Sequence, residues 1–381
     1  MRRVAKSCYL PTNLLLLKLI RKYPDIRITF SISGSALKQL EIFAPAVLES
    51  FQMLAATGAV EFLSETYYHS LSSFISSDEF MFQVRKHSEK VKGLFGVTPR
   101  VFRNTELIYN DQIGSTADDL GFEAVITDGI EKILGNSSAN YMYQHPDRST
   151  KIFLRNYRLS DDISFRFSQE DWSEWPLTPE KYMSWIEALS GEEEIITLSM
   201  DYETFGEHQK ADTGIFDFLE TLLIKLAKHR KIKMVTPSQA IELLEPSAKL
   251  RVPESISWAD EHRDLSAWLG NDMQKDAFST LSNMESSINR IGNPALLNTW
   301  RYLQTSDHFY YMSTKTGNDG QVHNYFNPYA SPYEAFMNYM NVLSDLSLQI
   351  EKGLSANVRK RTAREFKEKE ETNSLVLGHM N

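Results

Sequence analysis

"DIRITFSISGSALKQLEIFAPAVLESFQMLAATGAVEFLSE", residues 25–65, decides the fold. It opens on a strand-like run, DIRITFSIS at 25–33, passes through a long helical stretch to Gly58, and closes on a second such run, GAVEFLSE at 58–65. Strand, helix and strand in that order make the repeating unit of a parallel sheet. The series goes on through TPRVFRNTELIY at 98–109, FEAVITDG at 122–129, TKIFLRNY at 150–157, EIITLSMDYE at 194–203 and RKIKMVTPSQA at 230–240. Helical patterns such as YMSWIEALS and GIFDFLETLLIKLAKH separate several of them. Six or seven short strands alternating with helices predict an α/β fold whose parallel sheet is open or closed into a barrel, with a site built by the loops after the strands.

Beyond residue 250 the pattern becomes helical: DLSAWLGNDMQKDAFSTLSNMESSINR, NPALLNTWRYLQTSDHFYYMSTK and PYEAFMNYMNVLSDLSLQIEKG carry little strand signal. The expected division is a catalytic β/α domain over 1–250, a helical subdomain over 251–350 and a charged, flexible tail over 351–381. At the other end, MRRVAKSCYLPTNLLLLKLIRKYPD superficially resembles a signal peptide. Pro11, Thr12 and Asn13 interrupt its apolar part, Lys18, Arg21 and Lys22 follow, and the Leu run is too short to span a bilayer. An amphipathic helix starting near Pro11 is the better reading.

Composition bounds the function. A 381-residue chain with 42% hydrophobic and 24% charged residues is globular and long enough for a large core. Its net charge of -9 provides no basic footprint for nucleic acid, and no segment calls for a membrane partner. Cys8 is the single cysteine, so no intrachain disulfide or multi-thiolate metal site can form, and a cytoplasmic, reducing location fits best.

Two strand ends carry candidate chemistry. In IITLSMDYETFGEHQ, residues 195–209, an apolar run delivers Asp201, with Glu203 two residues on and Glu207 beyond, and Gly206 lets the chain turn away. A helix-capping role competes for such acids, as for Asp212 in DTG at 212–214. In TPRVFRNTELIYND the run ends on Arg103, Asn104, Thr105 and Glu106, where Arg103 can hold a carboxylate or sugar hydroxyl and Asn104 offers both donor and acceptor. Two carboxylates on one rim are the minimum equipment for cleaving a glycosidic bond. SETYYHSL adds Glu65, Tyr67, Tyr68 and His69, and QTSDHFYYMS adds Asp307 and His308 among aromatics that suit a pyranose face as well as a core. No HExxH pattern and no phosphate-binding glycine loop occurs, so neither metal nor cofactor is expected; SISGSALKQ, with Gly34 after a strand, is expected to place a helix near the sugar cleft.

FSISGSALKQLE, VEFLSETYYHSL, FRNTELIYND, LSMDYETFGEHQ and SWADEHRDLSAWLGNDMQKDAF, in this order, resemble α-amylase-type members of glycoside hydrolase family 57. The resemblance extends to about residue 340. It implies an incomplete (β/α)7 barrel followed by a helical subdomain, acting on α-glucans such as starch, glycogen or maltodextrin with retention of configuration. Residue by residue, it makes Glu106 the nucleophile and Asp201 the general acid/base. Glu65, Tyr68, His69, Arg103, Asn104, Glu203, Trp268, Asp307 and His308 are the substrate-binding candidates. The family begins with a strand ending in a His-Gln-Pro motif, and none precedes MRRVAKSCYLPTN. The expectation is therefore an amino-terminally truncated barrel, with a homo-oligomer as one way to cover the exposed edge. A 4-α-glucanotransferase or branching enzyme shares the same carboxylates, and an inactive glucan-binding protein is the non-enzymatic alternative.

Overall fold

A computed structural model describes the backbone of residues 1–378 except Ser190, Glu192 and 317–325, with side chains as far as Ser355. It divides into two compact units, Met1–Leu265 and Ser266–Asn381. The first is mixed α/β with a parallel-rich sheet.

The 25–65 segment folds as its pattern predicts, with one break. Strand β1 (Ile28–Phe30) pairs in parallel with β2 (Val60–Phe62), Ile28 opposite Val60 and Phe30 opposite Phe62. The crossover is two helices, Gly34–Phe43 and Pro45–Ala55, not one. Pro45 lacks an N–H and forces the preceding residue out of the helical region, so Ala44 turns to φ -152° and ψ 57° and the helix restarts. A single parallel bridge, Ser64 to Phe102, ties this pair to the larger sheet. There β3 (Val101–Arg103), β4 (Ala124–Asp128) and β6 (Lys151–Arg155) run parallel side by side. Two short strands, β5 (Tyr143–Gln144) and β7 (Ala248–Lys249), extend the far edge, β5 antiparallel to β6.

Two expected strands do not form. Within 194–203 the chain makes one bridge, Thr197 to Arg155, and then enters a helical turn at Tyr202–Thr204. Over 230–240 Thr236 caps the helix Pro237–Leu243, its hydroxyl accepting from the Gln239 N–H while the Gln239 side chain accepts from the Thr236 N–H. Both segments are apolar enough for strands, but side-chain hydrogen bonds claim their backbones first.

The core is built from one face of each helix and the sheet. Phe30 meets Phe51 edge-on at 5.1 Å between ring centroids, and Phe62 stacks on Phe95 at 3.9 Å. Helix Leu10–Lys22 buries Leu16, Leu17, Leu19 and Ile20 against this cluster, which is where the signal-like Leu run goes. The helix starts earlier than Pro11: a wider π-turn, Ala5–Tyr9, and a short helical segment, Arg2–Val4, precede it.

In the second unit the helices are shorter than the sequence pattern implies: Ser266–Leu269, Asp272–Asn283, Glu285–Ile291, Pro294–Tyr302 and Ser306–Tyr310. The Asn271 capping box before Asp272 accounts for one break inside the first pattern, and Gly292, left-handed at φ 63°, with the Asn293 cap before Pro294 makes the expected boundary between the first two patterns. Helix Pro332–Gly378 then runs its backbone through the 351 boundary.

Gly206 seats the loop after Asp201 against the amino-terminal turn. Its φ is 109°, and a Cβ there would lie 2.0 Å from the Ser7 carbonyl oxygen. Replacing Gly206 with Ala is expected to cost at least about 1–3 kcal/mol. Urea unfolding measures this; an unchanged midpoint would show that the amino-terminal turn does not seat against this loop.

Candidate active site

After β3 the backbone makes a tight turn, Thr105–Leu107, with Glu106 at φ 56° and Leu107 at φ 52°. Two consecutive non-glycine residues in the left-handed region are costly, and such conformations gather where geometry matters for function. His69 at φ 50° and Arg263 at φ 51° lie in the same surroundings.

The turn aims Glu106 at two donors. His69 Nε2 is 2.9 Å from its Oε1, and the Trp258 indole N–H donates to its Oε2 at 2.7 Å. The other His69 nitrogen, Nδ1, is 3.1 Å from Glu65 Oε2, so one imidazole bridges two carboxylates. Burial opposes a charge on His69, but the hydrogen bonds that it donates to Glu106 and Glu65 outweigh it and hold the ring protonated well above its ordinary range. Burial likewise works against Glu106 as an anion; the His69 hydrogen bond and charge, the Trp258 donor and Arg103 overcome it, and its carboxyl sits below the usual range. Glu65 falls to about 2, burial again being outweighed by the His69 hydrogen bond and charge and by the Arg103 charge. Glu65 is fixed from behind: Ser31 donates to Oε1 at 2.9 Å, and the Glu65 N–H donates to His87 Nδ1 at 3.1 Å. His87 Nε2 faces the Ile32 carbonyl at 2.8 Å, which puts its proton there and leaves Nδ1 free to accept.

Trp258 is the residue that sequence reasoning missed. Besides reaching Glu106, its ring lies under the guanidinium groups of Arg103 and Arg155, at 5.0 and 5.4 Å from its centroid. Arg155 belongs to a buried ring of charges with Asp128, Asp161 and Arg263. Arg155 reaches Asp128 at 3.3 Å and also pairs with Asp161; Arg263 reaches the second oxygens of the same two acids at 2.7 and 3.1 Å.

Asp201 arrives on the 195–200 segment. Its side chain caps no helix, which removes the competing structural role; Asp212 likewise sits inside a turn, Ala211–Thr213, whose cap position is Lys210. Asp201 is exposed, yet the neighbouring protein atoms partly desolvate its carboxyl. That desolvation, followed by repulsion from Glu106, raises its carboxyl above the ordinary value against the pull of His208, Arg103 and Arg155.

Glu203 and Glu207 have other engagements. The Tyr9 hydroxyl donates to Glu203, and Tyr9 stacks on Tyr202 at 6.1 Å. Glu207, 1% exposed, pairs with Arg3 and accepts from Ser7 at 2.9 Å. The amino-terminal turn thus pins the loop just after Asp201.

The remaining expected residues separate. Arg103 faces Trp258. Asn104 is buried, its amide donating to the Ile108 carbonyl at 3.0 Å, so it braces the Glu106 turn. Tyr68 is buried and hydrogen-bonded by Lys86. Tyr67 lies against Gly34, where a Cβ would be 2.3 Å from its ring, so the helix start serves aromatic packing. Trp268, Asp307 and His308 belong to the second unit. There Trp268 is 1% exposed beside Tyr310, His308 packs on the Tyr339 ring at 5.4 Å, and Asp307 lies in the first turn of Ser306–Tyr310.

The first unit brings together one carboxylate held low and another pushed high, the kind of division on which enzymes that split glycosidic bonds rely. The chain belongs to glycosyl hydrolase family 57, whose profile matches residues 1–253. A Methanocaldococcus jannaschii protein named "Putative alpha-amylase" is 46% identical over 364 residues, covering 93% of this chain and 77% of that protein. Among solved structures, a GH57-type branching enzyme from Pyrococcus horikoshii superposes with a TM-score of 0.70 at 15% identity, over 93% of this chain and 86% of that one. The 4-alpha-glucanotransferase of Thermococcus litoralis gives 0.64 at 16% identity, over 80% of this chain, which spans 52% of that chain. At those identities the two structures show a shared fold.

The His69 bridge has a pH signature. Its raised value stabilises the fold fully below the ordinary imidazole value of about 6.5 and loses that contribution as pH climbs through the folded value. The lowered values of Glu65 and Glu106 act above about 4.3 and are lost as pH falls. The stability gap between wild type and His69→Gln, about 1.5–3 kcal/mol, is therefore expected to be widest between those two pH values and to shrink on either side. Melting temperatures across pH measure it; a gap independent of pH would mean that no imidazolium bridges the pair.

Proposed function

We propose that the chain is a retaining, α-amylase-like hydrolase of α-1,4-glucosidic bonds. The carrying observation is the opposed state of the two carboxylates: Glu106 is held ionised by His69, Trp258 and Arg103, while desolvation and the Glu106 charge favour the protonated form of Asp201. Pairs pushed apart in this way divide into nucleophile and acid. Membership of the family and the alpha-amylase name of the Methanocaldococcus relative support the same substrate class.

In the first step Glu106 attacks the anomeric carbon while Asp201 protonates the glycosidic oxygen, and the leaving sugar departs from a covalent glycosyl-enzyme. Asp201, now a base, takes a proton from water, which releases the sugar from Glu106 with its configuration retained. The His69 imidazolium beside Glu106 stabilises the carboxylate before attack and again when it leaves. Arg103 is close enough to both carboxylates to influence each.

The sheet supports reading the first unit as an incomplete (β/α)7 barrel: β1 and β2, the Ser64 bridge, β3, β4, β6 and the Thr197 bridge form a continuous parallel succession. α-Glucans such as starch, glycogen or maltodextrin are the proposed partners. Among the described residues no helix is long and apolar enough to cross a membrane, and the lone Cys8 favours a reducing compartment such as the cytoplasm.

Soluble starch should yield reducing ends with the wild-type chain and none with Glu106→Ala. Asp201→Ala should lose about 10²–10⁴-fold on starch and far less on aryl glycosides whose leaving group needs no proton. Equal losses on both substrates would remove Asp201 from the acid role, and longer or branched products without reducing ends would replace hydrolysis by transfer. Glu106 must be ionised and Asp201 protonated, so kcat/KM should rise through the lowered value of Glu106 and fall through the raised value of Asp201.

A further inference from the structure

The segment that carries Asp201 lacks a sheet ladder. Between Ile195 and Asp201 its single bridge is Thr197 to Arg155, so something other than strand pairing must hold the last residues before the carboxylate. The Ser199 peptide shows what does. Its carbonyl accepts from Arg155 Nε at 2.6 Å, and its N–H donates to Ser160 Oγ at 3.2 Å.

The same guanidinium faces the other carboxylate's support. Arg155 lies 5.4 Å from the centroid of Trp258, whose indole donates to Glu106 at 2.7 Å. Arg155 is 2% exposed at the end of β6, so it is walled off from substrate. Its remaining donors go to Asp128 at the end of β4 and to Asp161 in the helix Tyr157–Ser164. Arg263 closes the ring on both acids and also donates to the Trp258 carbonyl at 3.2 Å. Two arginines and two aspartates leave the ring neutral, and every member is held by at least two others, which makes the guanidinium plane a fixed reference.

We propose that Arg155 is the positioning residue that sets the two carboxylates relative to each other, Asp201 through the Ser199 peptide and Glu106 through the Trp258 indole. The consequence for catalysis rests on the hydrolase reading; the geometric coupling does not. Lysine cannot replace it, because a single ammonium has no planar fork with which to serve a carbonyl and two carboxylates while stacking on an indole.

The test uses Arg155→Ala and Arg155→Lys in the full chain, with Trp258→Phe to assign the indole signal. Two nitrogen–proton resonances are followed: the Trp258 indole, and the Met200 amide, which shares its peptide with the Ser199 carbonyl. Both are expected to move in both variants, and kcat on maltopentaose is expected to fall about 100-fold with KM little changed. Added guanidinium should restore part of kcat to Arg155→Ala. If Arg155→Ala does not fold, Arg155→Lys keeps the positive charge in the ring and reads the same resonances. A folded variant in which either resonance stays in place overturns the proposal, as does a wild-type kcat. Should the wild-type chain lack glucan hydrolysis while both resonances respond, the hydrolase reading fails and the positioning role stands.

Discussion

Everything chemical in the first unit turns on keeping one carboxylate ionised in a crowded place. Burial alone would push Glu106 towards its neutral acid. The His69 imidazolium at 2.9 Å and the Trp258 N–H at 2.7 Å reverse that balance, and they do so from different parts of the chain. His69 can remain charged because Glu65 sits on its other nitrogen, and Glu65 can remain charged because Ser31 and His69 share its oxygens. The left-handed backbone at His69, Glu106 and Leu107 is the conformational cost of bringing these groups into line.

Asp201 is treated in the opposite way. It receives no cap contact, it faces a desolvating surface, and the ionised Glu106 repels a second negative charge. The anion made stable at one position thus makes the proton stable at the other. The backbone beneath each carboxylate follows the same division. Glu106 stands on a turn anchored by a sheet strand, whereas the approach to Asp201 is held by side chains, with Arg155 and Ser160 on the Ser199 peptide before it and Tyr9 on Glu203 just after.

Much of this was legible residue by residue. Glu106 and Asp201 each end an apolar run, and a strand that terminates in a polar cluster is a local pattern. Gly206 declared a sharp turn, and its φ of 109° is one. Trp258 had no such signal: one aromatic in SISWADEHRD looks like any core residue until its indole is seen to reach Glu106, 152 positions away. The charge ring was equally hidden, since Asp128 and Arg263 are 135 residues apart and neither is unusual in its own segment. The stretch 194–203 read as a strand because its residues are apolar, and it became a loop held by side chains because its carbonyl at Ser199 was claimed by Arg155.

The sequence by itself determined the alternation of apolar runs and helices, hence a parallel-rich sheet, and set Glu106 and Asp201 each at the end of an apolar run, because such patterns are encoded within a dozen neighbouring residues. Only the tertiary structure decided which carboxylate is held ionised and which is pushed towards its acid, and which side chains hold them. A proton's position depends on charges and burial summed over groups distant in the chain, and those groups become neighbours only when the sheet has formed.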